Sequence, residues 1–180
     1  MVDVHASRAS AWPHDLSGLR VLPEVFVWNT AHRRRGWSSP QRRDALTSEG
    51  NKKVIEEFRT NDGKVGGWFA DKSVLILHTT GARSGKERLA PLVYRQEGDR
   101  VFIFASKGGS DSHPDWYHNL KANPTVTVEL GTDTLDAAAT EIVGEERDAI
   151  YTRQATAIDN FAAYQAGTDR TIPVIELVVA

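Results

Sequence analysis

The stretch SVLILHTTGARSGKERLAPLVYRQEGDRVFIFAS, residues 73–106, decides the fold. Its opening, SVLILHTT, is a short unbroken apolar run that stops at Gly81, which is how a strand covered on both faces reads. APLVYRQ and VFIFAS are two further strand-like runs, and the EGDR between them, with Gly98, is a hairpin signal. Working outward, NKKVIEEFRTN places Val54, Ile55 and Phe58 at helical spacing, and Gly63, Gly66 and Gly67 stop that helix. Downstream, DSHPDWYHNLKANP predicts a short helix with Pro114 near its start and Pro124 after its end. TVTVELG alternates as a strand, and LDAAATEIV continues the sheet past a turn at Gly131-Thr132-Asp133. GEERDAIYTRQATAI reads as a helix, and IPVIELVVA closes the chain as a strand. Mostly antiparallel strands with interspersed helices define an α+β class with a barrel or sandwich core.

A chain of 180 residues is long enough for one domain with its own core. No window approaches the roughly 18 apolar residues of a membrane span. The absence of cysteine excludes disulfides, thiolate metal sites, iron–sulfur clusters and cysteine nucleophiles. The formal net charge of −2 conceals a gradient, from +4 over residues 1–53 through +1 over 54–128 to −7 over 129–180. Residues 1–50 read as a leader and 51–180 as the folded domain. Within the leader, PEVFVWNTAHRRR predicts a short helix ending in arginines, where cations suit the dipole. The run HRRRGWSSPQRR is expected to be a solvated helix end, and no nucleic-acid partner is expected. Contact with an anionic membrane is the alternative, with Phe26, Trp28 and Trp37 as interfacial anchors. The first residues lack an apolar signal core, so the expected location is the cytoplasm, or the inner membrane face if that helix docks there.

Three segments can carry chemistry. In HTTGARSGKERLAP, residues 78–91, Gly81 and Gly85 permit a tight turn that aims backbone amides at a ligand, while Arg83, Lys86 and Arg88 add positive charge. A phosphate suits such a nest, and a solvated basic turn is the alternative. It is not a nucleotide P-loop, which needs one more residue between the glycines and Ser or Thr after the lysine. In ASKGGSDSHP, residues 105–114, a strand ends in Ser106, Lys107, Gly108 and Gly109, which let backbone approach a flat ligand closely. A glycine loop without a guest reads the same way. Lying one hairpin apart, the two loops are expected at neighbouring positions on the sheet. In HPDWYHNLKANP, residues 113–124, Trp116, Tyr117, His118 and Asn119 crowd one helical turn with groups able to wall an aromatic ligand. Trp116 and Leu120, four apart, are also a core face. No metal site is expected, because His113 and His118 are five apart and lack an acidic partner pattern. Ser84 and Ser106 lack a G-x-S-x-G elbow, which argues against a serine hydrolase.

Taken in order, NKKVIEEFRTNDGKVGG, LHTTGARSGKERLAPLVY, ASKGG, HPDWYHNLKANPTVTVE and YQAGTDRTIPVIEL resemble the deazaflavin (coenzyme F420)-dependent nitroreductase family of actinobacteria. The resemblance spans residues 51–177 and leaves the leader outside. It implies a split β-barrel, mostly antiparallel, with flanking helices and an 8-hydroxy-5-deazaflavin in a groove along the barrel. It further implies that Ala82, Arg83, Ser84 and Arg88, with Lys86 nearby, hold the phosphate and acidic tail. Phe104, Ala105, Ser106 and Lys107 would line the ring beside the Gly108–Gly109 backbone, and Asp115, Trp116, Tyr117, His118 and Asn119 would complete the pocket. Ser106 and Tyr164 are expected at the reacting region, Tyr164 as a hydrogen-bond or proton donor. Nitroimidazole-activating members carry Tyr-x-x-Tyr-x-x-Tyr over the substrate site, where this chain has Ile158, Phe161 and Tyr164. The more apolar wall favours a hydrophobic small-molecule hydride acceptor such as a quinone. The alternatives are a flavin mononucleotide (FMN) oxidoreductase on the same barrel and a cofactor-binding protein without turnover, as a monomer or a dimer.

Overall fold

The computed structural model describes residues 48–179, so the leader and its helix lie outside the described residues. Helix α1 spans Glu49–Thr60, and Ser48 caps it by accepting the Asn51 amide at 3.3 Å on its hydroxyl. Six strands follow: β1 Val74–Thr80, β2 Glu87–Glu97, β3 Arg100–Phe104, β4 Thr125–Leu130, β5 Asp133–Ile142 and β6 Val174–Val179. Helix α2, Asp115–Ala122, separates β3 from β4, and α3, Gly144–Ala157, and α4, Asn160–Ala166, separate β5 from β6. The strands close into a barrel in the order β1-β2-β3-β6-β5-β4, every neighbour antiparallel. No helix among the described residues is long and apolar enough to cross a membrane.

The unbroken apolar runs have a direct cause in this barrel. Along β1, Leu75 and Leu77 point inward, while Val74 and Ile76 point outward beneath Ile55 and Phe58 of α1. Along β3, Val101 and Ile103 enter the interior, while Phe102 and Phe104 pack under Ile150 and Tyr151 of α3 and Phe161 of α4. Strands covered on both faces lose the polar alternation that a half-exposed strand keeps. The uncovered β5 shows that alternation, with Thr134, Asp136, Ala138 and Thr140 exposed.

Ion pairs fasten α1 to the barrel. Arg59 Nε donates to Glu129 at 2.9 Å, and His78 lies with Nε2 at 2.6 Å from Glu129 and Nδ1 at 2.8 Å from Glu87. Burial alone would raise the Glu129 carboxyl, but the bonds and charges of Arg59 and then His78 outweigh it and hold it at about 2.

The barrel is split along β2. Strand β3 pairs only with Tyr94–Glu97, so among the described strands none continues the ladder along Glu87–Val93 on that side. Pro91 lies in this open stretch, the kind of edge where a sheet tolerates proline. The two glycine loops therefore lie six residue steps apart along β2, about 20 Å at the usual strand rise, instead of at neighbouring positions.

Candidate cofactor and acceptor site

At one end of Glu87–Val93 lies the turn between β1 and β2. The Gly81 amide donates to the Lys86 carbonyl and the Gly85 amide to the Gly81 carbonyl, both at 2.8 Å. A Cβ on Gly81 would sit 2.5 Å from Ser84 Oγ and 3.2 Å from the Lys86 carbonyl oxygen, so a side chain here would displace the Ser84 hydroxyl. The Ser84 hydroxyl accepts from the Lys86 amide and from Arg88 Nη2, each at 3.4 Å. Arg83 and Lys86 are exposed, and no ion pair holds either among the described residues. Three cations around one tight turn form an anion site in the making.

Asn119 of α2 governs this turn from below. Its Oδ1 accepts the Ala82 amide at 2.9 Å, its Nδ2 donates to Thr79 Oγ at 3.1 Å, and the residue is 7% exposed. Asn119 thus clamps the loop to the end of β1 instead of facing the cleft.

At the other end β3 runs out into Ala105–Ser110. Lys107, Gly108 and Gly109 have φ of 48°, 63° and 82°, a left-handed run that only glycine adopts without strain, so Lys107 is held there by its surroundings. Its Nζ donates to Ser112 Oγ at 2.9 Å. Gly109 passes so close to α4 that a Cβ on it would lie 3.0 Å from the Tyr164 carbonyl oxygen. Beside this loop opens a cleft of about 260 Å³. Pro91, Leu92 and Val93 of β2 form its floor, with Phe104, Ser106, Lys107 and Gly108 on one side and Trp116, Phe161 and Tyr164 around the rest. Trp68 and Phe69, from a turn after α1, complete the rim. The Tyr164 hydroxyl has no hydrogen-bond partner among the described residues.

The residues singled out in the sequence divide between several places. Ser106, Lys107, Gly108, Phe104, Trp116, Phe161 and Tyr164 share the cleft, and Ala82, Arg83, Ser84, Lys86 and Arg88 share the turn. Ala105 is fully buried in the barrel, Asp115 and His118 are exposed, and half-buried Ile158 packs under the α3–α4 corner. Tyr117 faces away from the cleft and donates to both Glu141 oxygens, at 3.1 and 3.0 Å. Burial and then the Glu141 bond push its hydroxyl up, so it stays a donor. Successive helical residues diverge by about 100°, so Trp116 and Tyr117 cannot both serve one pocket. Trp68 and Phe69 directly follow the glycines that stop α1, and the sequence reading does not single them out. Their position among the cleft residues comes from tertiary packing, and an exposed tryptophan beside glycines was the one available signal.

Residues 51–178 match the family model described as F420H(2)-dependent quinone reductase. An F420H(2)-dependent quinone reductase of Mycobacterium tuberculosis is 36% identical over 124 residues, covering 67% of this chain and 83% of the relative. A solved F420-H2 dependent reductase is 44% identical over 58% of this chain and 93% of its own, with a TM-score of 0.54. A solved domain-swapped dimer is 42% identical over 71% of this chain and 94% of its own, with a TM-score of 0.56. With more than two thirds of its length matched by that family model, the chain belongs to the F420H(2)-dependent quinone reductase family.

Proposed function

We propose that this protein uses reduced coenzyme F420 to reduce a quinone to its quinol. The observation that carries the proposal is the stretch of β2 beyond its ladder with β3, with a cationic turn at one end and an apolar, glycine-backed cleft at the other. Such a groove fits a flat ring with a long anionic tail. Arg83, Lys86 and Arg88, with Ser84 and the Ala82 backbone, would hold the phosphate and the acidic tail. Ser106, Lys107 and the Gly108–Gly109 backbone would line the ring, with Phe104 behind it and Trp116 as a wall. When bound, the reduced deazaflavin supplies a hydride from its ring carbon to an electron-poor acceptor.

The chain's own part is orientation, exclusion of water and delivery of a proton. The Tyr164 hydroxyl donates to the acceptor's carbonyl oxygen as charge develops there, and Ser106 Oγ is a second donor close to the same region. Trp68, Phe69 and Phe161 give the acceptor side an apolar wall, which suits a quinone ring better than a nitroimidazole.

Anaerobic mixing of the F420H2-loaded protein with menadione should restore the absorbance of the oxidised cofactor over many turnovers. Tight binding with no reoxidation by quinones, enones or nitroaromatics would mean a carrier without turnover. Tyr164→Phe should lower kcat by about tenfold or more while leaving the quinone KM near wild type. An unchanged kcat removes the donor role from Tyr164.

A further inference from the structure

Arg170 lies in the segment between α4 and β6, outside the groove, yet its side chain reaches back to the loop that follows β3. Nε donates to the Ser110 carbonyl at 2.7 Å, and Nη2 donates to the carbonyls of Ala105 at 3.1 Å and Ser106 at 2.7 Å. Nη1 lies 3.1 Å from His113 Nδ1. A single planar guanidinium thus spans the loop from its first residue to the approach to α2. The loop's other bonds are local or lie at its start: Ala105 N–H to the Pro173 carbonyl at 3.0 Å, Ser106 N–H to the Phe104 carbonyl at 2.8 Å, Gly109 N–H to the Ser106 carbonyl at 3.0 Å, Ser110 N–H to the Lys107 carbonyl at 3.2 Å and Lys107 Nζ to Ser112 Oγ at 2.9 Å. None of these joins Ala105 to Ser110, as the Arg170 fork does.

We propose that Arg170 is the positioning residue of the cofactor-ring loop, with neutral His113 as its acceptor, so that ring binding weakens as His113 takes up a proton. This rests on the reading of the cleft as the deazaflavin site. Three carbonyls and one ring nitrogen around one cation demand a flat fork of donors, which lysine lacks. The anchor is itself anchored. Gln165 Nε2 donates to the Arg170 carbonyl at 2.8 Å, and Thr168 Oγ donates to Asp111 at 2.9 Å across the same seam. Because Gly109 packs on the backbone of Tyr164, the loop's placement also fixes the distance between its wall of the cleft and the proposed donor.

A guanidinium only donates, so His113 Nδ1 must accept and the ring must be neutral, with its proton on Nε2. Every element packed around His113 bears on that state. Arg170 faces it from the segment before β6, and His118 and Tyr117 face it from α2 with ring centroids at 5.9 and 4.6 Å. Lys107 Nζ donates to its carbonyl at 3.4 Å, and Glu141 acts from β5. Burial first, then the charges of Arg170 and His118, disfavour the protonated ring, and Glu141 offsets them only in part, so the ring titrates below 6.5. A lowered folded value means that the contact holds at neutral pH and is lost as pH falls through that value.

Isothermal titration with oxidised F420 tests both parts without turnover. Arg170→Ala should weaken binding by about tenfold or more, and Arg170→Lys should recover less than about a third of that loss. Wild-type affinity in Arg170→Lys overturns the positioning role, and this variant carries the test if the alanine variant does not fold. In His113→Gln the amide oxygen accepts from Arg170 at every pH. The ratio of Kd at pH 5.5 to Kd at pH 7.5 should therefore be smaller than in wild type, where the cofactor's own titration is the same. An identical ratio overturns the role of His113. Absence of F420 binding by the wild-type protein overturns the proposed function instead, so the two failures are distinguishable.

Discussion

Replacing Asn119 with leucine tests whether the anion turn must be clamped before it binds. The leucine keeps the branched outline of the side chain and removes two bonds, the 2.9 Å contact to the Ala82 amide and the 3.1 Å contact to Thr79. Each is worth about 1 kcal/mol net. Thr79 is 3% exposed, and its hydroxyl keeps only a 3.5 Å contact to the Arg88 carbonyl, which adds up to about 1 kcal/mol for a poorly satisfied buried group. The Ala82 amide lies in an exposed turn and regains water. The total is about 2–3 kcal/mol against the docked turn, or about 30- to 150-fold in apparent Kd if only the docked turn binds the tail. The barrel ladder does not depend on Asn119, so the melting temperature should fall by only a few degrees. Titration calorimetry with F420 reads the affinity, and hydrogen exchange of the Ala82–Lys86 amides in the ligand-free protein reads the clamp. Affinity within about threefold of wild type refutes the reasoning. Weaker binding with unchanged exchange refutes it differently, by making Asn119 a direct contact.

The exposed pair Arg83 and Lys86 should act through charge alone. Changing both to glutamine should weaken F420 binding about tenfold at low salt and less at high salt, where exposed charges are screened, and equal losses at both salts would contradict this. Trp68→Ala should raise the quinone KM about fivefold with kcat within twofold, since Trp68 is 45% exposed at the cleft rim and stacks only partly; an unchanged KM removes it from the acceptor wall. Glu129, held at about 2 against an ordinary 4.5, contributes at most about 3 kcal/mol of stability. That stability is present above pH 4.5 and lost as pH falls towards 2. Glu129→Gln should lower the melting temperature at pH 7 and flatten its decline in acid, and parallel acid profiles would show that the carboxylate is not the group responsible.

The barrel was legible because its strands are short, branched and bounded by glycine, and the hairpin at Gly98 sets the order of β2 and β3. The anion turn was legible for a related reason, since glycine spacing and clustered cations are local features that survive folding. What escaped is non-local. Seven-residue α4 is too short to show a helical period, and its Phe161 and Tyr164 were read as a spaced motif without an element beneath them. Tyr117 and Asn119 were grouped with Trp116 by proximity, while the helix sends one to Glu141, one beneath the turn and one into the cleft. Arg170 falls within YQAGTDRTIPVIEL, but its role gave no signal, because a guanidinium that serves backbone carbonyls leaves no pattern in sequence. The unequal lengths of β2 and β3, which open the groove, follow from where chain and barrel closure part company, and residue types alone do not record that.

The acceptor side shows why the two missing tyrosine hydroxyls matter beyond their count. Phe161 is 3% exposed and packs against Phe104, Tyr151 and Tyr164 at ring-centroid distances of 5.3, 6.3 and 5.6 Å. Its backbone carbonyl accepts the Tyr151 hydroxyl at 2.9 Å, and burial pushes that hydroxyl up to about 12, so α4 is pinned to α3 by a donor that does not ionise. The wall is therefore a packed, apolar surface in which Phe161 contributes shape, and Tyr164 is left as its phenol at the cleft. On the proposed reading one phenol and the Ser106 alcohol serve the acceptor. That suffices for a carbonyl whose charge develops at a single oxygen, and it leaves a quinone's second carbonyl at the mouth, beside Trp68 and Phe69. A nitro group, which spreads its charge over two oxygens, would divide the two donors between them, so each oxygen would gain less than the single quinone oxygen that both donors serve.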